Sequence, residues 1–120
     1  MASNPKELLN KLMQTEGALC AALVDYNSGM LLESVGTGVD LEMAAAGNTE
    51  VVRAKMKTMK SLGLNDEIED ILISLGKQYH IIRPVEKHDG LFIYYVLDRS
   101  RANLAMARRK VLEAEASAVI

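Results

Sequence analysis

Residues 17–40 confine this chain to a narrow set of folds. Ala18-Leu19-Cys20-Ala21-Ala22-Leu23-Val24 is apolar at every position, so a strand built from it has both faces covered and lies inside a sheet. Asp25-Tyr26-Asn27-Ser28-Gly29 then supplies side chains that tolerate a reversal and a glycine free to adopt positive φ. Met30-Leu31-Leu32-Glu33-Ser34-Val35 returns as the partner strand. Gly36-Thr37-Gly38 breaks it, and Asp40 is a good N-cap for the segment that follows.

The flanking segments complete the element order. Asn4 before Pro5, with Glu7 in the first turn, marks a helix start, and Leu8, Leu9, Leu12 and Met13 recur at helical spacing over about three turns. Leu41 to about Leu62 is the longest periodic segment, with Leu41, Ala45, Val52, Met56 and Met59 on one stripe. Arg53, Lys57 and Lys60 share another, exposed face. Ala44-Ala45-Ala46-Gly47 leaves only small side chains around much of that helix, where a second backbone can approach closely. Gly63 closes it after a basic last turn. Three strands follow: Ile68 to Leu75, with Ile71, Ile73 and Leu75 on one face; Gln78 to Val85; and Leu91 to Leu97, the most β-prone run in the chain, entered through the turn His88-Asp89-Gly90. From about Ala102 the period returns to helical, with Leu104, Ala107, Val111, Ala114 and Ala118 on the buried side. The order α-β-β-α-β-β-β-α with consecutive hairpins specifies an α+β class and an antiparallel sheet.

At 120 residues the chain is expected to be one domain spanning 1–120, large enough for an ordinary core. A net charge of −2 does not suggest a protein that grips phosphate backbones, which normally shows a strongly basic face, so no nucleic-acid partner is expected. Cys20, the one cysteine, lies in an apolar strand and has no partner for an internal disulfide, which fits a reducing compartment. No secretory signal and no run of membrane-spanning length is visible, and a cytoplasmic location is the default expectation.

The residues that carry chemistry form no constellation. Gly36-Thr37-Gly38 precedes a helix, yet it lacks the Gly-Lys-Ser/Thr ending of a nucleotide loop and the third glycine of a dinucleotide fingerprint, so it reads as a plain connection. His80 and His88 fall in no metal-ligand spacing, and Cys20, Ser28, Ser74 and Ser100 carry no local signature of an activated nucleophile. Asp66, Glu67, Glu69 and Asp70 do not match a calcium loop and read as charges guarding a strand edge. Arg99, Arg101, Arg108, Arg109 and Lys110, with Glu113 and Glu115 nearby, read as a solvated face. No catalytic, cofactor or metal residue is assigned, and no cofactor is expected.

Gly17-Ala18 opening a strand, Asp25 at its end, Ser28-Gly29 turning into Met30-Leu31-Leu32, and a small-residue helix after Asp40 together resemble the roadblock/dynein light chain family. The resemblance covers nearly the whole chain and rests on apolar positions and turns. It implies a roadblock/profilin-like fold: a five-stranded antiparallel sheet with the long helix on one face and the two terminal helices on the other. It also implies a homodimer joined through the third strand and the central helix. Ala44, Ala45, Gly47 and Val51 of the helix and Ile71 and Ile73 of the strand are the expected interface. Family members act as regulators or scaffolds, often of Ras-like small GTPases, and a bacterial-type GTPase regulator is the expected class. Arg53, Lys57 and Lys60 are the row on which an acidic partner surface would dock. A dynein-light-chain-type motor adaptor, a small-molecule-sensing α/β domain and a hydrolase assembled from distant residues are the alternatives. A sensor would need a cavity with converging polar groups, and a hydrolase a titratable pair.

Overall fold

The computed structural model describes residues 4–117. Helix α1 (Pro5–Leu12) is followed by strands β1 (Ala18–Asp25) and β2 (Met30–Gly36), helix α2 (Leu41–Ser61), strands β3 (Ile71–Ser74), β4 (Gln78–Pro84) and β5 (Leu91–Asp98), and helix α3 (Leu104–Ala116). The strands form one sheet in the order β2-β1-β5-β4-β3, with every neighbouring pair antiparallel. The two strands that are apolar throughout, β1 and β5, lie side by side in its middle, where both faces are covered.

Alternation along the strands sorts their side chains into two cores. Ala21, Leu23, Ile81, Ile93, Tyr95 and Leu97 face α1 and α3 and pack on Leu8, Leu9, Leu12, Ala107 and Val111. Cys20, Ala22, Val24, Ile82, Tyr94 and Val96 point the other way, to Ala45 and Val52 of α2. The layering is therefore one long helix against one face and the two terminal helices against the other. Each wholly buried Leu or Phe in these layers contributes about 1.5–3 kcal/mol of transfer free energy.

Each helix begins at a side-chain cap. Asn4, Asp40 and Asn103 accept from the backbone N–H of Glu7, Met43 and Met106 at 2.9, 3.1 and 2.9 Å. Helix α2 ends where expected: Gly63 takes a φ of +71°, Leu64 N–H donates to Met59 O, and Gly63 N–H to Lys60 O. That pair of bonds satisfies two terminal carbonyls. Helix α1 is shorter than its periodicity suggests, stopping at Leu12 with Met13 as C-cap. On α3, Ala107, Val111 and Ala114 are buried as expected, whereas Ala118 lies outside the described residues.

Strand β3 is shorter than the expected Ile68 to Leu75. Its ladder with β4 runs from Ile71↔Ile82 to Ser74↔Tyr79, so two further residues would set Glu69 opposite Pro84. Val85 N–H donates to Leu91 O, and alternation turns the Pro84 nitrogen toward the β3 side, where it has no hydrogen to give. Residues 68–70 instead approach through side chains. Arg83 Nη1 donates to Glu69 O, and Arg108 makes a two-pronged ion pair with Asp70 at 2.8 and 2.9 Å. Asp70 and Arg108 thus join the β3 lead-in to α3 rather than standing free in a solvated face.

A second ion pair lies deep. Arg83 Nε donates to Glu115 Oε1 with both side chains almost wholly buried, at 9% and 5% exposure, and Glu115 Oε2 accepts from the backbone N–H of Glu86 at 2.8 Å. This clasp ties the end of β4 and the following turn to the last turns of α3.

Candidate interaction surface

The face of α2 turned away from the sheet is uncovered and carries apolar side chains. Met43, Gly47, Val51 and Ala54 recur there at four- and three-residue spacing, and all are exposed, Met43 at 73%. Leu62 at the end of the helix is 66% exposed. At Gly47 a Cβ would meet nothing within 4 Å, so no packing within this chain requires the glycine. A glycine in a helix interior costs about 0.5–1 kcal/mol relative to alanine. Beside this stripe, Arg53, Lys57 and Lys60 stand exposed, and none of them takes part in an ion pair among the described residues.

The two sheet edges differ. At β2, Lys6 reaches over from α1, its Nζ donating to Ser34 O at 2.9 Å and lying 3.4 Å from the Glu33 carboxylate. A lysine so placed obstructs strand addition. At β3, Ile71, Leu72 and Ile73 are half-buried, and the side away from β4 has no strand partner among the described residues. An open sheet edge and an uncovered helix face are the two surfaces that association would cover.

Polar groups beneath α2 are arranged for structure. Tyr94 O–H lies 2.8 Å from His80 Nδ1, and His80 Nε2 lies 2.8 Å from Gln78 Oε1. The amide oxygen fixes Nε2 as the donor and leaves Nδ1 to accept from the tyrosine. Burial pushes the Tyr94 phenol up to about 12, reinforced by neighbouring Cys20 and opposed by a hydrogen bond from Asn48. Burial likewise raises the Cys20 thiol to about 11, opposed by a backbone hydrogen bond from Val39, so this sulfur stays protonated and sealed in the core. A nucleophilic thiol needs the opposite shift and access to solvent. Among the described residues, no three His, Cys, Asp or Glu side chains gather where they could hold a metal ion.

Burial lowers the His80 pKa from its ordinary 6.5. The fold therefore favours the neutral ring. The stabilisation is complete above the unfolded-state value and is lost as pH falls through the lower folded-state value. His80→Gln, which keeps a hydrogen-bonding group but cannot charge, is expected to flatten this part of the stability profile between neutral and mildly acidic pH in urea titrations. An unchanged profile would show that His80 is not the group responsible.

A scan of the sequence against protein-family models finds no match, and no curated protein matches it. Solved structures do resemble it. A Roadblock/LC7 domain from Streptomyces avermitilis superposes with a TM-score of 0.82 at 14% identity, covering 96% of this chain and 94% of that one. MglB from Myxococcus xanthus gives 0.81 at 20% identity, covering 93% and 89%. An MglB with a tetrameric arrangement gives 0.77 at 18% identity, covering 91% and 80%.

The fold is the Roadblock/LC7 fold. On this roadblock frame, Gly47 and Val51 lie on the outward side of α2, and Ile71 and Ile73 lie on the open edge strand while packing against the second core. Ala44 is half-buried at the margin of that core. Ala45 departs from the assignment to a subunit interface. It is 1% exposed and faces the sheet, because it shares the buried stripe of Leu41, Val52 and Met56. Its four-residue partner Thr49 turns inward as well, donating to Ala45 O at 2.7 Å. The interface candidates absent from the sequence reading are Met43 and Leu62. Their signal was present as apolar residues off the core stripe, on the same side as Gly47. No described helix is long and apolar enough to cross a membrane.

Proposed function

We propose that this chain, read as one domain over residues 1–120, is a non-enzymatic regulatory module that forms a homodimer and binds a Ras-like small GTPase. The observation that carries the reading is the outer face of α2. There, small and apolar side chains lie uncovered around Met43, Gly47 and Val51, and the unpaired basic row Arg53, Lys57 and Lys60 runs alongside. Two such helices crossing at Gly47, with the open β3 edges paired, bury the apolar stripe and extend the sheet across the dimer axis. The basic rows then flank the paired helices and present positive charge to an acidic partner surface. The likeness to MglB, one form of which has a tetrameric arrangement, supports an assembling, regulatory role. Regulation follows by differential binding: a dimer that fits one switch conformation better than the other shifts the balance between them. The unpaired, buried cysteine suits the reducing cytoplasm in which such partners work.

The test begins with a pull-down on the immobilised chain with and without GTP, and continues with association kinetics on the recovered partner. Arg53→Glu combined with Lys57→Glu is expected to slow association at low salt by roughly tenfold or more and to flatten its salt dependence, leaving the dimer mass unchanged. Equal on-rates for wild type and variant would remove the basic row from the docking face.

A further inference from the structure

We infer that the groove beneath the C-terminal half of α2 is a docking site for a basic amphipathic helix of a partner protein. The groove has a volume of about 710 Å³. Its lining includes Met56 and Met59 of α2, Leu64 after the helix, and Pro84 and Val85 at the end of β4. It exists because the β3 ladder stops short of Pro84, whose missing N–H leaves the end of β4 paired with β5 but not with β3. Methionine side chains are unbranched and polarizable and adapt to varied apolar guests, which is why they recur on surfaces that receive amphipathic helices.

The rim selects the sign of the guest. Asp66, Glu67, Glu69, Glu86 and Asp89 surround the opening, and none of them takes part in an ion pair among the described residues. Of the two cations at the groove, Arg83 is buried in its pair with Glu115, which leaves Lys60 as the exposed one. In a chain whose net charge is −2, this is a local concentration of negative charge around an apolar channel. A helix with apolar residues on one face and lysine or arginine along its flanks matches both properties. The site shares Lys60 with the basic row of α2, whose Arg53 and Lys57 do not line it, and it is separate from the outer stripe around Gly47. Met56 and Met59 lie on the sheet-facing side of the same helix.

The probe is a labelled peptide of two LKKLLKL repeats, titrated with the intact chain by fluorescence anisotropy, with a peptide of two LEELLEL repeats alongside. Saturable binding of the lysine peptide, weakened by salt, is expected, with the glutamate peptide at least roughly tenfold weaker. Reversing Asp66, Glu67 and Glu69 to lysine, all in the exposed lead-in to β3, is expected to weaken binding by roughly tenfold or more. Met59→Glu is expected to do the same while circular dichroism stays unchanged. Glu16→Lys with Glu113→Lys, at the separate groove between α1 and α3, is the control that leaves binding intact. Should Met59→Glu fail to fold, the charge reversal decides alone. Absent binding, equal binding of the two peptides, or binding indifferent to the Asp66, Glu67 and Glu69 reversal overturns the proposal. A fall in the oligomer mass of that reversal variant also overturns it, because a second copy would then be the occupant.

Discussion

Glu115→Ala is expected to lower the unfolding free energy by about 3–5 kcal/mol, because it strands a buried guanidinium without its counter-charge. Arg83 is nine-tenths buried and retains only the Glu69 carbonyl, and the backbone N–H of Glu86 loses its acceptor at the same time. For a domain whose whole stability is about 5–15 kcal/mol, that is a large share. Replacing both partners, as Arg83→Met with Glu115→Leu, removes the uncompensated charge together with the pair, and the double variant is expected to be more stable than Glu115→Ala alone. Urea unfolding monitored by circular dichroism gives all three values. A loss below about 1 kcal/mol for Glu115→Ala would mean that water or another acceptor reaches Arg83, and that the clasp contributes no more than an exposed pair.

Tryptophan placed two residues apart on α2 is expected to give opposite results. At Gly47 the added side chain enters open space in the isolated chain, so the fold is retained. If two outer faces of α2 meet, the two-fold axis brings in the substitution twice, at about 1–3 kcal/mol each for overpacking, and association weakens by at least roughly tenfold. Light scattering at micromolar concentration is then expected to fall from twice the chain mass to the chain mass, with the circular dichroism spectrum unchanged. At Ala45 the same substitution is driven into a core with 1% exposure and is expected to unfold the chain. A Gly47→Trp protein that keeps the wild-type mass would place the dimer contact elsewhere, and a wild type that is monomeric would remove it.

Much of this fold was legible from local patterns, because the residues concerned act on near neighbours. Asn4, Asp40 and Gly63 cap helices through bonds spanning a few residues, and the uniform apolarity of Ala18–Val24 and Leu91–Leu97 alone places both strands in the sheet interior. Length was less legible where a distant residue decides it. Nothing between Ile68 and Leu75 signals that Pro84 truncates their pairing. The clasp was invisible for the same reason: Glu115 read as part of a solvated face, no local pattern singled out Arg83, and only the crossing of β4 by α3 brings them together. On α2 the sequence carried an ambiguity, since Ala44-Ala45-Ala46-Gly47 is small on every side. Helical phase set by Leu41, Val52 and Met56 assigns Ala45 to the core and Gly47 to the outside.

The pairing of β1 with β5 at the centre of the sheet also governs when this chain can become a protein at all. Ala21 meets Tyr95 in one core and Ala22 meets Tyr94 in the other, so the contacts that seal both cores join the beginning of the sequence to a strand near its end. During synthesis the β1–β2 hairpin emerges with its most apolar edge unpartnered and must wait for almost everything else to be made. Closing so long a loop costs entropy before any contact returns it, which slows folding relative to a fold built from neighbours. A fragment ending before Leu91 would lack the strand that joins β1 to β4, leaving two separate hairpins and loose helices with exposed apolar faces. The nascent chain is thus most in need of protection until its last strand is released.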